Sequence, residues 1–162
     1  MWKPFVCVAV LICATAGAAA ADQRTSPVGD WVTIDDDTGK PGALIEITEH
    51  RGVLSGRITK LFDPDEPNPI CHKCEGSKHN QPLVGLELFW GLKKDGDEWT
   101  GGSVVDPETG NIYKLKLSLS DDGRKLDVRG YLGISLFGRT EQWLRSSSPA
   151  AQAAAGGSLP NS

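Results

Sequence analysis

The stretch Leu126-Asp-Val-Arg-Gly-Tyr-Leu-Gly-Ile-Ser-Leu-Phe-Gly-Arg-Thr-Glu-Gln-Trp-Leu144 closes a run of five strand-like segments between Leu83 and Arg145. Its apolar residues recur at every second position rather than at the 3.6-residue helical period, as half-buried strands require. The same alternation holds upstream. Ala43, Ile45 and Ile47 alternate with Leu44, Glu46 and Thr48; Val84, Leu86, Leu88, Trp90 and Leu92 alternate with Gly85, Glu87, Phe89, Gly91 and Lys93; Tyr113, Leu115, Leu117 and Leu119 alternate with Lys114, Lys116 and Ser118. Eight strands follow, at about 29–34, 43–49, 53–61, 83–93, 98–105, 111–119, 125–131 and 139–145. Strands in hairpin order, each bounded by turn chemistry, predict an all-β fold: an eight-stranded antiparallel up-and-down β-barrel, whose closure removes exposed edges.

The connections carry further information. In such a barrel they alternate between two ends. One set is tight: His50-Arg51-Gly52, Lys94-Asp95-Gly96-Asp97 and Asp121-Asp122-Gly123-Arg124. The other is long: Asp35 to Gly42, Phe62 to Pro82, Asp106 to Gly110, and Leu132 to Gly138, with room for one short helix between strands 7 and 8. A closed end and an open mouth are therefore expected. Eight-stranded barrels either fill their interior with side chains or hold one small ligand.

Both ends of the chain read differently. Lys3, the apolar run Phe5 to Ala14 and the small residues ending at Ala19-Ala20-Ala21 predict a signal peptide over residues 1–20. This run is too short to span a bilayer comfortably. Residues 146–162 are of low complexity and nearly free of large apolar groups, which predicts a disordered tail. Residues 21–145 remain for one barrel domain. Without Lys3 the chain carries 16 Lys and Arg against 21 Asp and Glu, a formal charge of −5. No basic patch for nucleic acid is visible. A periplasmic or secreted protein without a membrane span after leader cleavage is expected.

Gly29-Asp30-Trp31 is similar to the G-x-W of lipocalins, and Arg145 stands where those proteins place an arginine across that tryptophan. The resemblance implies closed-end packing of Trp31 and Arg145. A longer set of blocks resembles an uncharacterised family of small exported bacterial proteins, domain of unknown function 2147. These blocks are Gly29 to Trp31, Leu54-Ser-Gly-Arg-Ile58, Asn68-Pro69, Pro82-Leu-Val-Gly-Leu86, Gly101-Gly102, Asp106-Pro107 with Gly110 and Tyr113, Leu126 to Tyr131, and Leu136-Phe-Gly-Arg-Thr140 with Trp143. That resemblance implies a lipocalin-like barrel and brings no activity with it.

Reactive side chains gather in the 62–82 loop. Cys7 and Cys13 leave with the leader, so Cys71 and Cys74 form the remaining pair, and in an oxidising compartment they predict a local disulfide. A redox role lacks the helix N-terminus that depresses a thiol pKa. Haem attachment needs histidine after the second cysteine, where Glu75 stands. Cys71 and Cys74 with His72 or His79 offer metal-ligand chemistry, but without a second ligand pair. No metal or cofactor is expected. The acidic clusters Asp35 to Asp37, Asp63/Asp65/Glu66 and Asp106/Glu108 fit solvated loops and match no calcium-loop spacing. Arg129, Arg139 and Glu141 stand in the last two strands, where an Arg–Glu pair inside the barrel either orients a ligand carboxylate or satisfies itself.

The domain has no G-x-S-x-G, no H-E-x-x-H and no glycine-rich strand-to-helix loop, so no enzyme is predicted. The expected function is binding or carriage of a small, largely apolar molecule. Leu86, Leu88, Trp90, Tyr113, Leu115 and Leu117 would form the lining, with Phe137 and the cysteine loop at the mouth. The alternatives are a filled barrel acting as a structural or protein-interaction module, and a metal or redox role for the Cys71–Cys74 loop. The volume left inside the barrel separates the first two.

Overall fold

The computed structural model describes residues 24–62, 65, 67–134 and 138–156. The leader, Phe137 and residues 157–162 lie outside the described residues. Strands β1 (Gly29–Ile34), β2 (Pro41–His50), β3 (Val53–Leu61), β4 (Glu87–Asp95), β5 (Glu98–Val105), β6 (Ile112–Ser120), β7 (Lys125–Tyr131) and β8 (Gly138–Arg145) form a closed antiparallel barrel in sequence order. The tight turns fall at one end, as the turn chemistry predicts. Arg51 and Gly52 both take positive φ between β2 and β3, the backbone that a two-residue hairpin turn requires.

One packed cluster fills the interior. Trp31, Ile45, Ile47, Leu54, Phe89, Leu92, Leu115, Leu117 and Leu126 are fully buried, and Trp99, Val128 and Trp143 nearly so. Alternation places them inward. The registers Leu117↔Val128, Leu119↔Leu126 and Leu126↔Trp143 put these side chains on one face of the sheet.

Strand 4 departs from the expected reading. It begins at Glu87 rather than near residue 83, because Leu83 to Leu86 make a turn with Gly85 at φ +97. Within it, Gly56 pairs with Phe89 while Arg57 pairs with Glu87 and Leu54 with Leu92, so β4 carries extra residues at two places. Each such bulge reverses the alternation. Phe89, which strict alternation sends outward, is therefore fully buried. Trp90 of the predicted lining is half-buried and packed against the interior cluster, and the Lys78 ammonium lies 4.6 Å from its ring centroid.

The short helix is also elsewhere. The described part of the β7–β8 connection, residues 132–134, consists of bends, whereas helix α1 (Pro149–Ala154) follows β8. The segment 146–156 thus forms a turn and a helix where low complexity predicts none. Ser148 caps the helix by accepting from the Ala151 amide at 3.2 Å, and Pro149 starts it. Ala151 then packs on Val32 and Leu44 outside the barrel wall. A second small core on the outer face of β1 and β2 supplies the burial that the tail's own composition lacks.

Candidate functional site

The closed end is built around Arg145. Trp31 and Arg145 are cross-strand partners, and the guanidinium carbon lies 4.2 Å from the indole centroid. Its nitrogens donate to the carbonyls of Gly123 at 2.7 Å, Val28 at 3.1 Å and Ser26 at 2.8 Å. The Trp31 ring nitrogen donates to Pro27 at 2.8 Å. Burial lowers the Arg145 pKa, yet an arginine starts so high that it stays charged. This end is a structural plug.

The opposite end is covered on one side. The loop from Ile70 to Leu86 folds back on itself through an Ile70–Pro82 bridge, with the Cys71 amide donating to Gln81 and the Asn80 amide to Cys71. Cys71 and Cys74 form the predicted disulfide, and both are buried in the same cluster as the interior leucines. Reciprocal backbone bonds tie the loop to β3: the Ile58 amide donates to Leu86 and the Gly85 amide to Ile58. Across the mouth, the Lys73 carbonyl presses against Gly110, where a β-carbon would collide with it. Gly110 has φ +77, so a side chain there is excluded twice over. These contacts account for the Asp106-Pro107 and Gly110 block, in which Gly110 lets the disulfide loop land on the β5–β6 connection.

A disulfide spanning so few residues removes little chain entropy, about 2 kcal/mol. Its burial adds to this. Cys71→Ser/Cys74→Ser, which leaves two hydroxyls in an apolar cluster, is expected to lower urea stability by about 2–3 kcal/mol and to expose the loop to proteolysis. Unchanged stability with an intact loop would show that the bridge is incidental. In the oxidised pair neither sulfur is a thiolate ligand. His72 is exposed, and His79 Nδ1 lies 3.0 Å from the Cys74 carbonyl. Among the described residues no group of three His, Cys, Asp or Glu is placed to hold a metal ion.

The other side of the mouth is open. Val128 pairs with Glu141 and Gly130 with Arg139, which fixes the face of β8 that the sequence leaves unassigned. Glu141 and Arg139 stand on the same inner face as Trp143 and Val128. Their side chains are nevertheless 44% and 71% exposed. The reason lies in the wall: among the described residues β1 meets β8 only over Trp31–Thr33 against Trp143–Arg145, so the mouth half of β8 has no β1 neighbour. Trp143 donates to Glu141 at 3.4 Å, and Arg139 lies 3.9 Å from Glu141 and 2.9 Å from Asp36. The hydrogen bond to Asp36, then the charge of Glu141, hold the Arg139 guanidinium still more firmly protonated. Opposite stand Tyr113, half-buried, and Val104, with Gly130 between them and β8. An added β-carbon at Gly130 would touch Tyr113 Cβ at 3.8 Å and Val104 Cγ1 at 3.9 Å, ordinary contact distances, so the position has room.

Of the predicted lining, Leu86, Leu88, Leu115 and Leu117 converge on the interior, but as buried members of the packed cluster. Tyr113 reaches the mouth, and Phe137 lies outside the described residues. Two grooves, of about 250 Å³ beside the end of β3 and about 230 Å³ between α1 and the β6–β7 turn, are not lined by these leucines. That Gly130, Arg139 and Glu141 share the inner face with Val104 and Tyr113 and stand partly exposed there, a notch in the wall rather than a closed cavity, is the part that alternation alone does not reveal. It depends on where the β1–β8 seam stops.

Residues 29–145 match a bacterial family described as "Uncharacterized protein conserved in bacteria (DUF2147)". Among solved structures the chain is similar to HP1028 of Helicobacter pylori, described as belonging to the lipocalin family, with 17% identity, a TM-score of 0.68, and coverage of 85% of this chain and 92% of that one. That likeness extends to the fold. No curated protein matches the chain.

Proposed function

We propose that this chain, which belongs to the DUF2147 family of bacterial proteins, is an exported envelope protein that binds a small, largely apolar molecule at the mouth of its lipocalin-like barrel. One observation carries the reading. The interior is packed shut at the Arg145 end and covered by the disulfide loop, yet the inner face of β7 and β8 stands open above Val128 and Trp143. Tyr113, Val104 and Gly130 give the notch an apolar wall, and Arg139 and Glu141 give it a polar edge. Such a mixture of apolar surface and few polar groups is typical of small-molecule sites. Export is supported by the leader-like N-terminus and is compatible with the disulfide. No helix among the described residues is long and apolar enough to cross a membrane.

The test uses cis-parinaric acid, an apolar chain with a carboxylate whose fluorescence rises on sequestration. Saturable binding of one molecule, with quenching of tryptophan emission through Trp143, is expected. Gly130→Leu should abolish it, because its β-carbon finds ordinary contact with Tyr113 and Val104 and the rest of the side chain takes up the space a ligand would need. It should leave the unfolding free energy measured in urea within about 1 kcal/mol of the parent's. Binding unaffected by Gly130→Leu would place the site elsewhere.

The complete burial of Leu86, Leu115 and Leu117 favours a second reading: a filled barrel that presents its mouth loops to another protein. Absence of saturable probe binding, together with a bare polypeptide mass after purification from the host envelope, selects it.

A further inference from the structure

The polar edge of the notch has a definite sign. Glu141 pairs with Val128 across the β7–β8 register, so it stands one strand spacing, about 5 Å, from the apolar floor, and its side chain is 44% exposed. Its carboxylate keeps acceptor capacity to spare. Oε2 accepts from the Trp143 ring nitrogen at 3.4 Å, and Oε1 lies 3.9 Å from Arg139, both long for such contacts. Arg139, in contrast, is turned toward the β1–β2 loop, where it donates to Asp36 at 2.9 Å.

This arrangement disfavours a ligand acid. To reach the Arg139 guanidinium, a ligand carboxylate has to displace Asp36 and then lie beside Glu141, a like charge. Asp35 and Asp37 also act on Arg139 through their charge, so among the described residues one inner-face guanidinium answers four carboxylates. The hydrogen bonds that Asp35 accepts from Thr38 leave its charge in place. Counting Lys40 of the same loop, and Arg129 bonded to Thr140 on the outer face, makes three cations against four carboxylates, still an excess of negative charge. Of the four, Glu141 is the one that projects from the barrel wall, beside the apolar surface of the notch.

We propose that the molecule taken by the notch is an amphipathic amine, whose ammonium pairs with the Glu141 carboxylate while its apolar body lies on Val104, Tyr113 and Gly130. This rests on the ligand reading above and adds the sign of the head group. An ammonium supplies three donors and no acceptor, so it completes Glu141 and leaves the Arg139–Asp36 pair in place. A charge-assisted hydrogen bond of this kind is roughly twice as strong as a neutral one. On the same grounds cis-parinaric acid binds through its chain alone.

The probes are decylamine, decanol and decanoic acid, which carry a positive, a neutral and a negative head on one chain at neutral pH. Each is titrated into the purified protein by calorimetry. Decylamine is expected to bind roughly tenfold more tightly than decanol, and decanoic acid more weakly than either. Glu141→Gln, which keeps the shape of the side chain, should bring decylamine to the affinity of decanol and leave decanol unchanged. Arg139→Gln should not weaken decylamine. Decanoic acid binding most tightly, and losing that advantage in Arg139→Gln, overturns the proposal. So does a preference for decylamine that survives Glu141→Gln, since attraction to the acidic chain as a whole would then account for it. Equal binding of the three probes removes the ammonium and leaves the ligand reading standing. Failure of all three to bind removes the ligand reading itself and this inference with it.

Discussion

Arg145→Ala is expected to destabilise the barrel by about 3–5 kcal/mol, lowering the thermal midpoint on the order of 10 °C or more. The side chain is nearly fully buried and donates to three carbonyls in two separate parts of the chain, Ser26 and Val28 before β1 and Gly123 in the β6–β7 turn. Hydrogen bonds from a charged group are each worth roughly 1.5–3 kcal/mol, and stacking on Trp31 adds on the order of 1 kcal/mol. Water entering the emptied end offsets part of the loss, which is why the expected value falls below the sum. Arg145→Lys keeps the charge but cannot reach three acceptors with one ammonium. It should recover no more than about half of the loss. Urea titration of the three proteins checks both statements. A lysine variant as stable as the parent would show that charge alone holds the closed end.

Gly56→Ala is the second large effect. A β-carbon at Gly56 would fall within the ring of Phe89, its cross-strand partner. Phe89 is fully buried against the interior, with Trp143 at a centroid distance of 6.3 Å, so the ring has nowhere to retreat. Overpacking of this kind costs up to about 3 kcal/mol. Since a single ring causes the collision, the same alanine should cost about 1–2 kcal/mol less in a Phe89→Leu background. The double-mutant cycle, read by urea denaturation, distinguishes that steric cause from a general intolerance of alanine on β3. Additive effects would reject it.

The pair also shows what was legible in the sequence. Period-two alternation and short turns suffice for eight strands, their order and the closed end, because each is a local signal repeated along the chain. Phe89 is misplaced by the same rule. A bulge depends on which residues oppose each other across two strands, and Gly91 at φ +83 is ambiguous until its partner strand is known. Helix α1 is illegible for a related reason. Its burial comes from Val32 and Leu44 on the outer wall, far away in sequence, and not from its own alanines. At the candidate site, Tyr113 and the cysteine loop are readable from alternation and loop length. Arg139, Glu141 and Gly130 acquire an inner face only through the register with β7.

The short seam between β1 and β8 has one more consequence. Closure normally leaves a barrel without free sheet edges, but among the described residues no strand pairs with the outer side of the mouth half of β8, which leaves its backbone donors and acceptors to whatever comes alongside. Gly138 to Gln142 is the part of the wall where another extended chain could add itself. Arg139 and Glu141 alternate along it with Thr140 and Gln142, and a strand of charged and polar side chains is a poor template for aggregation. Their polarity therefore guards the opening as well as bordering it. Neutralising both would remove that protection and turn a vent in the wall into an adhesive edge.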